Sequence, residues 1–287
     1  MAEGIALALD VGGTKATAAR VLPDGTVLGR QRVSMTDGVD GDELFARIAE
    51  LLAGVATGDE VVCGIASAGP MVERGERVSP INLPAWDAFP LRARVAEVCG
   101  VPTFLDGDAK ALALAEGRFG VARGVDDYLA MVVSTGVGGG IVLGARLLDG
   151  VTGNAGHIGH VIVEPGGRPC ACGGIGCLEA EASGTAIAAA TGRPAADAPS
   201  EVRERTGRLV GRAVASVANL LALRLAVVSG SVALGFGEPF FTAAQAEVDA
   251  LARLSFSAGA RVVPSTLAEG PLLGAACVGW RGQTLVP

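Results

Sequence analysis

With 287 residues the chain can form one large domain or two lobes with separate cores, and two lobes suit a cleft that closes on a substrate. Hydrophobic residues make up 50% and mean hydropathy is +0.46, yet the longest uncharged run, residues 128–145, contains Ser134, Thr135, Gly136, Gly138, Gly139 and Gly140, which break a membrane-spanning helix. A net charge of −7 without a long Lys/Arg run argues against nucleic acid as a partner, and an N-terminus without a basic stretch or cleavage site predicts a cytoplasmic protein.

Short β-branched runs alternate with helical stretches in the first half, an α/β pattern. Residues 5–10, 17–21, 26–33 and 61–66 read as strands, with Asp24-Gly25 a hairpin signal. Residues 41–52 read as a helix with apolar positions spaced by three and four. The pattern then predicts a helix over 91–98, a strand over 103–106, a helix over 108–119, and strands over 128–133 and 140–143. Residues 150–176 are rich in glycine and cysteine with little periodicity, so a bound metal should hold them. A long helix over 201–223, a buried strand over 225–228, and helices over 239–251 and 272–280 complete the chain. The expected division falls at Gly107: an N-terminal α/β lobe over 1–107, joined by the C-terminal helix at 272–287, and a second α/β lobe over 108–271 that carries the metal loop.

Asp10-Val11-Gly12-Gly13-Thr14-Lys15 follows a strand. Adjacent glycines let backbone N–H groups approach an anion, Thr14 and Lys15 add a hydroxyl and a cation, and Asp10 can hold Mg²⁺ through water. Gly-Gly is equally an ordinary turn signal. Ser134-Thr135-Gly136-Val137-Gly138-Gly139-Gly140 is a second glycine turn between apolar strands, without the order of a P-loop. Two such hairpins suit different phosphates of one nucleotide.

His160, Cys170, Cys172 and Cys177 offer an imidazole and three thiolates, a closed tetrahedral set that suits structural Zn²⁺. The other reading is a thiol cluster without metal. In Leu105-Asp106-Gly107-Asp108-Ala109-Lys110, Asp108 opens a helix. An Asp there is routinely an N-cap, and it is also where a carboxylate can take the proton of a substrate hydroxyl.

These motifs, DVGGTK, STGVGGG, the segment over 156–179 with its CxCGxxGC, and the SGS over 229–231, stand in the order found in ROK-family sugar kinases, and the chain resembles that family over essentially its whole length. The resemblance implies a two-lobed, actin-like ATPase (ribonuclease H-like) α/β fold with the active site between the lobes. It implies ATP-dependent phosphorylation of a sugar 6-hydroxyl, Mg²⁺ with ATP, structural Zn²⁺ and a homodimer. By position it implies Asp108 as the base, sugar contacts at Gly69, Asn82, Asp108, His157, His160 and Glu179, and nucleotide contacts at Asp10, Gly12, Gly13, Thr14, Lys15, Thr135, Gly136, Gly138 and Gly230. His160 would serve zinc and sugar together.

The chain departs from the family's NDAN at two places, with Gly107 and Lys110 where asparagines are usual. A sugar contact from the first asparagine is lost, and Asp106 is the candidate to replace it. His157 stands where glucokinases of the family carry Glu, whereas bacterial N-acetylmannosamine kinases resemble this chain here. An N-acylmannosamine kinase is therefore expected, with glucokinase or another hexokinase as the alternative. A sugar sensor without catalysis is the competing class, opposed by the retained Asp108 and glycine turns. The family's repressors carry a winged-helix domain before DVGGTK, and with nine residues before Asp10 no such domain is expected here.

Overall fold

The computed structural model describes residues 4–36, 40–81 and 83–285; the predicted sugar contact Asn82 lies outside them. In chain order the elements are β1 (Ile5–Val11), β2 (Lys15–Val21), β3 (Val27–Ser34), α1 (Gly41–Val55), β4 (Glu60–Ser67), β5 (Met71–Val72), β6 (Arg77–Val78), α2 (Leu91–Cys99), β7 (Thr103–Gly107) and α3 (Asp108–Phe119). There follow β8 (Tyr128–Val133), β9 (Val137–Leu143), β10 (Arg146–Leu147), α4 (Leu178–Ala182), α5 (Gly184–Thr191), α6 (Ser200–Leu221), β11 (Leu225–Ser229), α7 (Ser231–Phe236), α8 (Glu238–Leu251), β12 (Arg261–Pro264) and α9 (Gly270–Leu285).

The chain forms two compact units. Unit 1 comprises Met1–Phe119, Asp149–Ala155 and Leu267–Pro287, and unit 2 comprises Gly120–Leu148 and Gly156–Thr266. The sheet of unit 1 runs β3-β2-β1-β4-β7 and that of unit 2 runs β10-β9-β8-β11-β12. In both, the first three strands are antiparallel neighbours and the last two join in parallel, so one topology is used twice.

Period-two alternation sorts the two faces of the unit 1 sheet. Leu7, Leu9 and Val11 of β1 with Cys63 and Ile65 of β4 join the core that includes Leu44, Ile48 and Leu52 of α1. The residues between them, Ala6 and Ala8 of β1 with Val62 and Ala66 of β4, face α3 and α9. Small residues on that face let α9 lie close. A Cβ on Gly64 would stand 1.8 Å from the Ala275 carbonyl oxygen, so no side chain fits there. In unit 2, α6 and α8 cover the sheet, with Leu209, Val210, Val214, Phe240, Ala244 and Val248 buried against Leu129, Met131, Ala226 and Val228.

The division differs from that expected at Gly107. Helix α3 stays in unit 1 because Ala111 and Ala115 are buried with Leu272, Ala275 and Ala276 of α9. Residues 149–155 also belong to unit 1, although the chain on either side of them belongs to unit 2. Strand β9 starts at Val137, not at 140: Gly138, Gly139 and Gly140 pair with Val132, Met131 and Ala130. All three are strand residues, and close packing keeps Gly139 small, since an added Cβ would lie 2.9 Å from Ile158 Cγ2. Among the described residues no helix is long and apolar enough to cross a membrane.

Candidate active site

In unit 1, β1, β4 and β7 are parallel and in register, with Val11 beside Ser67 and Ser67 beside Gly107. Their carboxyl ends therefore bring three predicted segments to one end of the sheet: the turn Gly12–Thr14, Ala68-Gly69, and Asp108. Ligands of open α/β sheets bind beyond such ends. The Gly12 N–H closes the first turn onto the Lys15 carbonyl at 3.0 Å, leaving Thr14 and Lys15 exposed. The Gly69 carbonyl accepts the Ile81 N–H at 3.4 Å, which places the neighbour of Asn82 beside Gly69.

Asp108 is the first residue of α3, and its Oδ1 accepts the Ala109 N–H at 2.7 Å. The side chain is solvent-accessible, but the surrounding protein displaces enough water to raise its carboxyl above the ordinary aspartate range. Burial and repulsion from Asp108 push Asp10 up to about 7, with Lys15 opposing. Such a carboxylate has a use for a cation beside it.

Asp106, the candidate to replace the asparagine, is engaged with other protein groups. Its Oδ1 lies 2.8 Å from Lys110 Nζ and accepts the Gly107 N–H at 2.8 Å, while its Oδ2 lies 3.5 Å from Arg281. A Cβ added at Gly107 would meet nothing within 4 Å, so space is open where the asparagine side chain would stand. Lys110 is buried and fully engaged: besides Asp106, its ammonium donates to Asp149 Oδ1 and to the Gly153 carbonyl, both at 2.9 Å. Arg281 of α9 completes a ring of two cations and two carboxylates by bonding Asp149 Oδ2 at 2.6 Å. Burial raises Asp106 despite Lys110, whereas Lys110 and Arg281 outweigh burial at the more open Asp149 and lower it.

Unit 2 carries the second glycine turn at the matching place, between β8 and β9. Ser134 Oγ and Ser231 Oγ are 2.9 Å apart, so the turn meets the segment that holds Gly230. Gly230 has φ of +102°, and a Cβ there would stand 2.3 Å from the Val133 carbonyl oxygen, which only glycine accommodates. The Gly184 N–H donates to the Ser134 carbonyl at 2.7 Å, and Thr185 Oγ1 donates to the Thr135 carbonyl at 3.0 Å. Glu179 Oε2 accepts the Val137 N–H at 2.9 Å, and a Cβ on Gly136 would come within 2.8 Å of that oxygen. Gly138 lies past the turn, inside β9.

His160, Cys170, Cys172 and Cys177 bring one donor atom each to within 4.8 Å of one another. Cys170 Sγ is 3.7 Å from His160 Nδ1, and Cys172 Sγ is 3.6 Å from Cys177 Sγ. Tetrahedral coordination with metal–sulfur bonds of about 2.3 Å separates donor atoms by roughly 3.8 Å, so the set fits. Burial, then the neighbouring sulfurs of Cys172 and Cys170, push the Cys177 thiol up to about 12. For all three thiols to ionise this close together, a cation would have to lie among them. Because Nδ1 of His160 faces the sulfurs, Nε2 is directed elsewhere. His157, exposed, stands with its ring centroid 6.1 Å from that of His160.

A ROK family sequence profile matches residues 6–279. The chain belongs to the ROK family. It is 36% identical over 253 residues to an N-acetylmannosamine kinase of Yersinia pseudotuberculosis serotype O:1b (strain IP 31758), an alignment covering 82% of this chain and 85% of that protein. Among solved structures it is similar to a ROK hexokinase from Thermus thermophilus, with TM-score 0.80, 32% identity, and coverage of 98% and 99% of the two chains. It is also similar to a ROK family glucokinase from Streptomyces griseus in complex with glucose and AMPPNP, with TM-score 0.83, 28% identity, and coverage of 97% and 100%. The fold is that of the actin-like ATPases, as the repeated sheet topology requires.

Several residues of this ROK site carried no sequence signal. Thr185 supports the unit 2 turn through a hydroxyl group that no motif marks, and Ser231 does so from the SGS motif, where only Gly230 had been singled out. Asp149 and Arg281 meet Lys110 from distant parts of the chain. Only the departure at Lys110 from the family pattern pointed to that spot.

Proposed function

We propose that the protein is an ATP-dependent kinase for the 6-hydroxyl of an N-acylhexosamine, with N-acylmannosamine the first choice. The observation that carries this reading is Asp108. Its carboxylate stands at the carboxyl end of β7, tied by one backbone N–H, accessible to a substrate, and level with the Gly12–Thr14 turn. In the reaction the sugar oxygen bonds the γ-phosphorus as the bond from phosphorus to the ADP oxygen breaks, and Asp108 takes the hydroxyl proton. Thr14, Lys15 and the backbone of the Gly12–Thr14 turn in unit 1, with the turn at Thr135 and Gly136 and the backbone of Gly230 in unit 2, bind the nucleotide phosphates. Asp10 would hold, through water, the Mg²⁺ that offsets phosphate charge.

Gly69, Asn82, His157, His160 and Glu179 complete the sugar contacts in this reading. His160, Cys170, Cys172 and Cys177 would hold Zn²⁺, a closed set that fixes the loop and takes no part in the chemistry. A cytoplasmic homodimer belongs to the same reading, and sedimentation of the purified protein tests the dimer.

The choice of sugar is supported by the Yersinia relative and by His157; the similarity to the Streptomyces glucokinase in complex with glucose favours glucose as the second reading. A coupled ADP-release assay with MgATP against N-acetylmannosamine, N-acetylglucosamine, glucose, mannose and allose decides between them. Selective turnover of N-acetylmannosamine is expected. Selective turnover of glucose overturns the N-acyl specificity, and no turnover with any of these sugars overturns the kinase reading.

A further inference from the structure

Residues 149–155 form a strap fixed to unit 1 although the chain enters it from unit 2 and returns there. Its attachments are specific. Asp149 binds Lys110 and Arg281, the Gly153 carbonyl accepts from Lys110, the Gly150 carbonyl accepts from Arg74, and Asn154 bonds both the N–H and the carbonyl of Met71 at 2.9 Å. Two of these anchors adjoin predicted sugar-site residues. Met71 follows Gly69 by two positions, and Lys110 follows Asp108 by two. Past its last residue the strap leads through Gly156 directly into His157.

Lys110 has no remaining donor to offer a ligand. An ammonium has three N–H groups, and Asp106, Asp149 and Gly153 accept all three. Its burial is tolerated because Asp106 and Asp149 are balanced by Lys110 and Arg281, a neutral ring with its hydrogen bonds made. The ring spans β7, α3, α9 and the strap, and the β7–α3 junction that presents Asp108 is held between Asp106 and Lys110. At that junction Gly107 supplies no side chain to restrict the backbone.

Building on the kinase reading, we propose that Lys110, Asp149 and Arg281 are positioning residues: the ring they form with Asp106 clamps the strap to the β7–α3 junction and holds Asp108 in its reactive orientation. The ring supplies from outside the junction the restraint that Gly107 does not. Asp108 alone touches the reacting atoms.

The test uses the full-length, metal-loaded chain with Asp149→Ala, which cuts the strap from both cations, and Asp149→Asn, which keeps one oxygen acceptor. With the sugar that the unaltered chain turns over best, Asp149→Ala is expected to lower kcat by about ten-fold or more while KM for MgATP stays within about two-fold, and Asp149→Asn to recover part of the loss. Amide hydrogen exchange supplies a readout independent of turnover: residues 107–110 and 149–155 should exchange faster together in Asp149→Ala, with α6 unchanged. Wild-type kcat in a folded Asp149→Ala protein, or unchanged exchange at 107–110, overturns the clamp. Should Asp149→Ala not fold, Asp149→Asn carries the same two comparisons. If the unaltered chain phosphorylates none of the sugars, the kinase reading fails, and the exchange experiment still decides whether the strap restrains the junction.

Discussion

Glu179 Oε2 accepts the backbone N–H of Val137 at 2.9 Å, so a carboxylate expected to read the sugar also orients the glycine turn of unit 2. Substitutions at Glu179 can separate the two roles. Glu179→Ala leaves a buried N–H without its acceptor and should destabilise the protein by about 1–3 kcal/mol in urea denaturation. Glu179→Gln offers an amide oxygen to the same N–H and should restore most of that stability. It still exchanges an acceptor for a donor on the sugar side, so the sugar KM should remain raised. Equal stability loss in the two variants would count against the hydrogen bond as the cause.

For Asp108→Asn, sugar binding is expected to persist while kcat falls about 10²–10⁴-fold, the usual contribution of a positioned base. The base works ionised, and the surrounding protein raises its carboxyl above the ordinary aspartate value. The acid limb of kcat against pH should therefore lie above pH 3.8, with activity lost as pH falls through that limb. Isothermal titration with sugar alone, beside initial rates across pH, checks both parts. Near-normal turnover by the variant removes Asp108 from its role.

Cys172 is the exposed member of the proposed metal-ligand set, so Cys172→Ser should perturb coordination with little change in packing. Metal content by mass spectrometry should drop and the melting temperature should fall with it, because binding to a folded site is also folding free energy. A chelator should destabilise the unaltered protein and have less effect on the variant. Unchanged metal stoichiometry would remove Cys172 from the ligand set.

The turn at Gly12–Thr14, the clustering of His160 with Cys170, Cys172 and Cys177, and the helix start at Asp108 were legible because each is a local pattern of particular residue types at short spacing. Helix α1 was legible for a similar reason: Asp40 caps it by accepting the Glu43 N–H at 2.8 Å, and Leu44, Ile48, Leu51 and Leu52 fall on one face. Strands β5, β6 and β10 span two residues each, too short for any period to show. The misplaced start of β9 came from reading Gly138 and Gly139 as turn residues, when both pair with β8 and Gly139 is small for the sake of packing. The division at Gly107 failed because a helix starting there packs backwards onto α9, a contact set by alanines more than 150 positions apart in sequence. The strap was invisible for the same reason, since Lys110, Asp149 and Arg281 meet only in the folded chain.

Gly64 sets the distance between β4 and α9. A Cβ there would stand 1.8 Å from the Ala275 carbonyl oxygen and 2.6 Å from the Gly279 nitrogen, both backbone atoms that cannot rotate away. Gly64→Ala must push α9 outward, and overpacking of this kind costs about 1–3 kcal/mol or more. Gly235 is the counter-example, an exposed position of α7 where an added Cβ meets nothing within 4 Å. There Gly235→Ala should be neutral or stabilising by up to about 1 kcal/mol, from helix propensity alone. Urea denaturation of the two variants should move in opposite directions. Helix α9 also carries Arg281, which bonds Asp149 and pairs with Asp106. Its displacement in Gly64→Ala should therefore lower kcat in protein that is still folded, and full activity in a destabilised Gly64→Ala chain would mean that Arg281 can shift without disturbing Asp108.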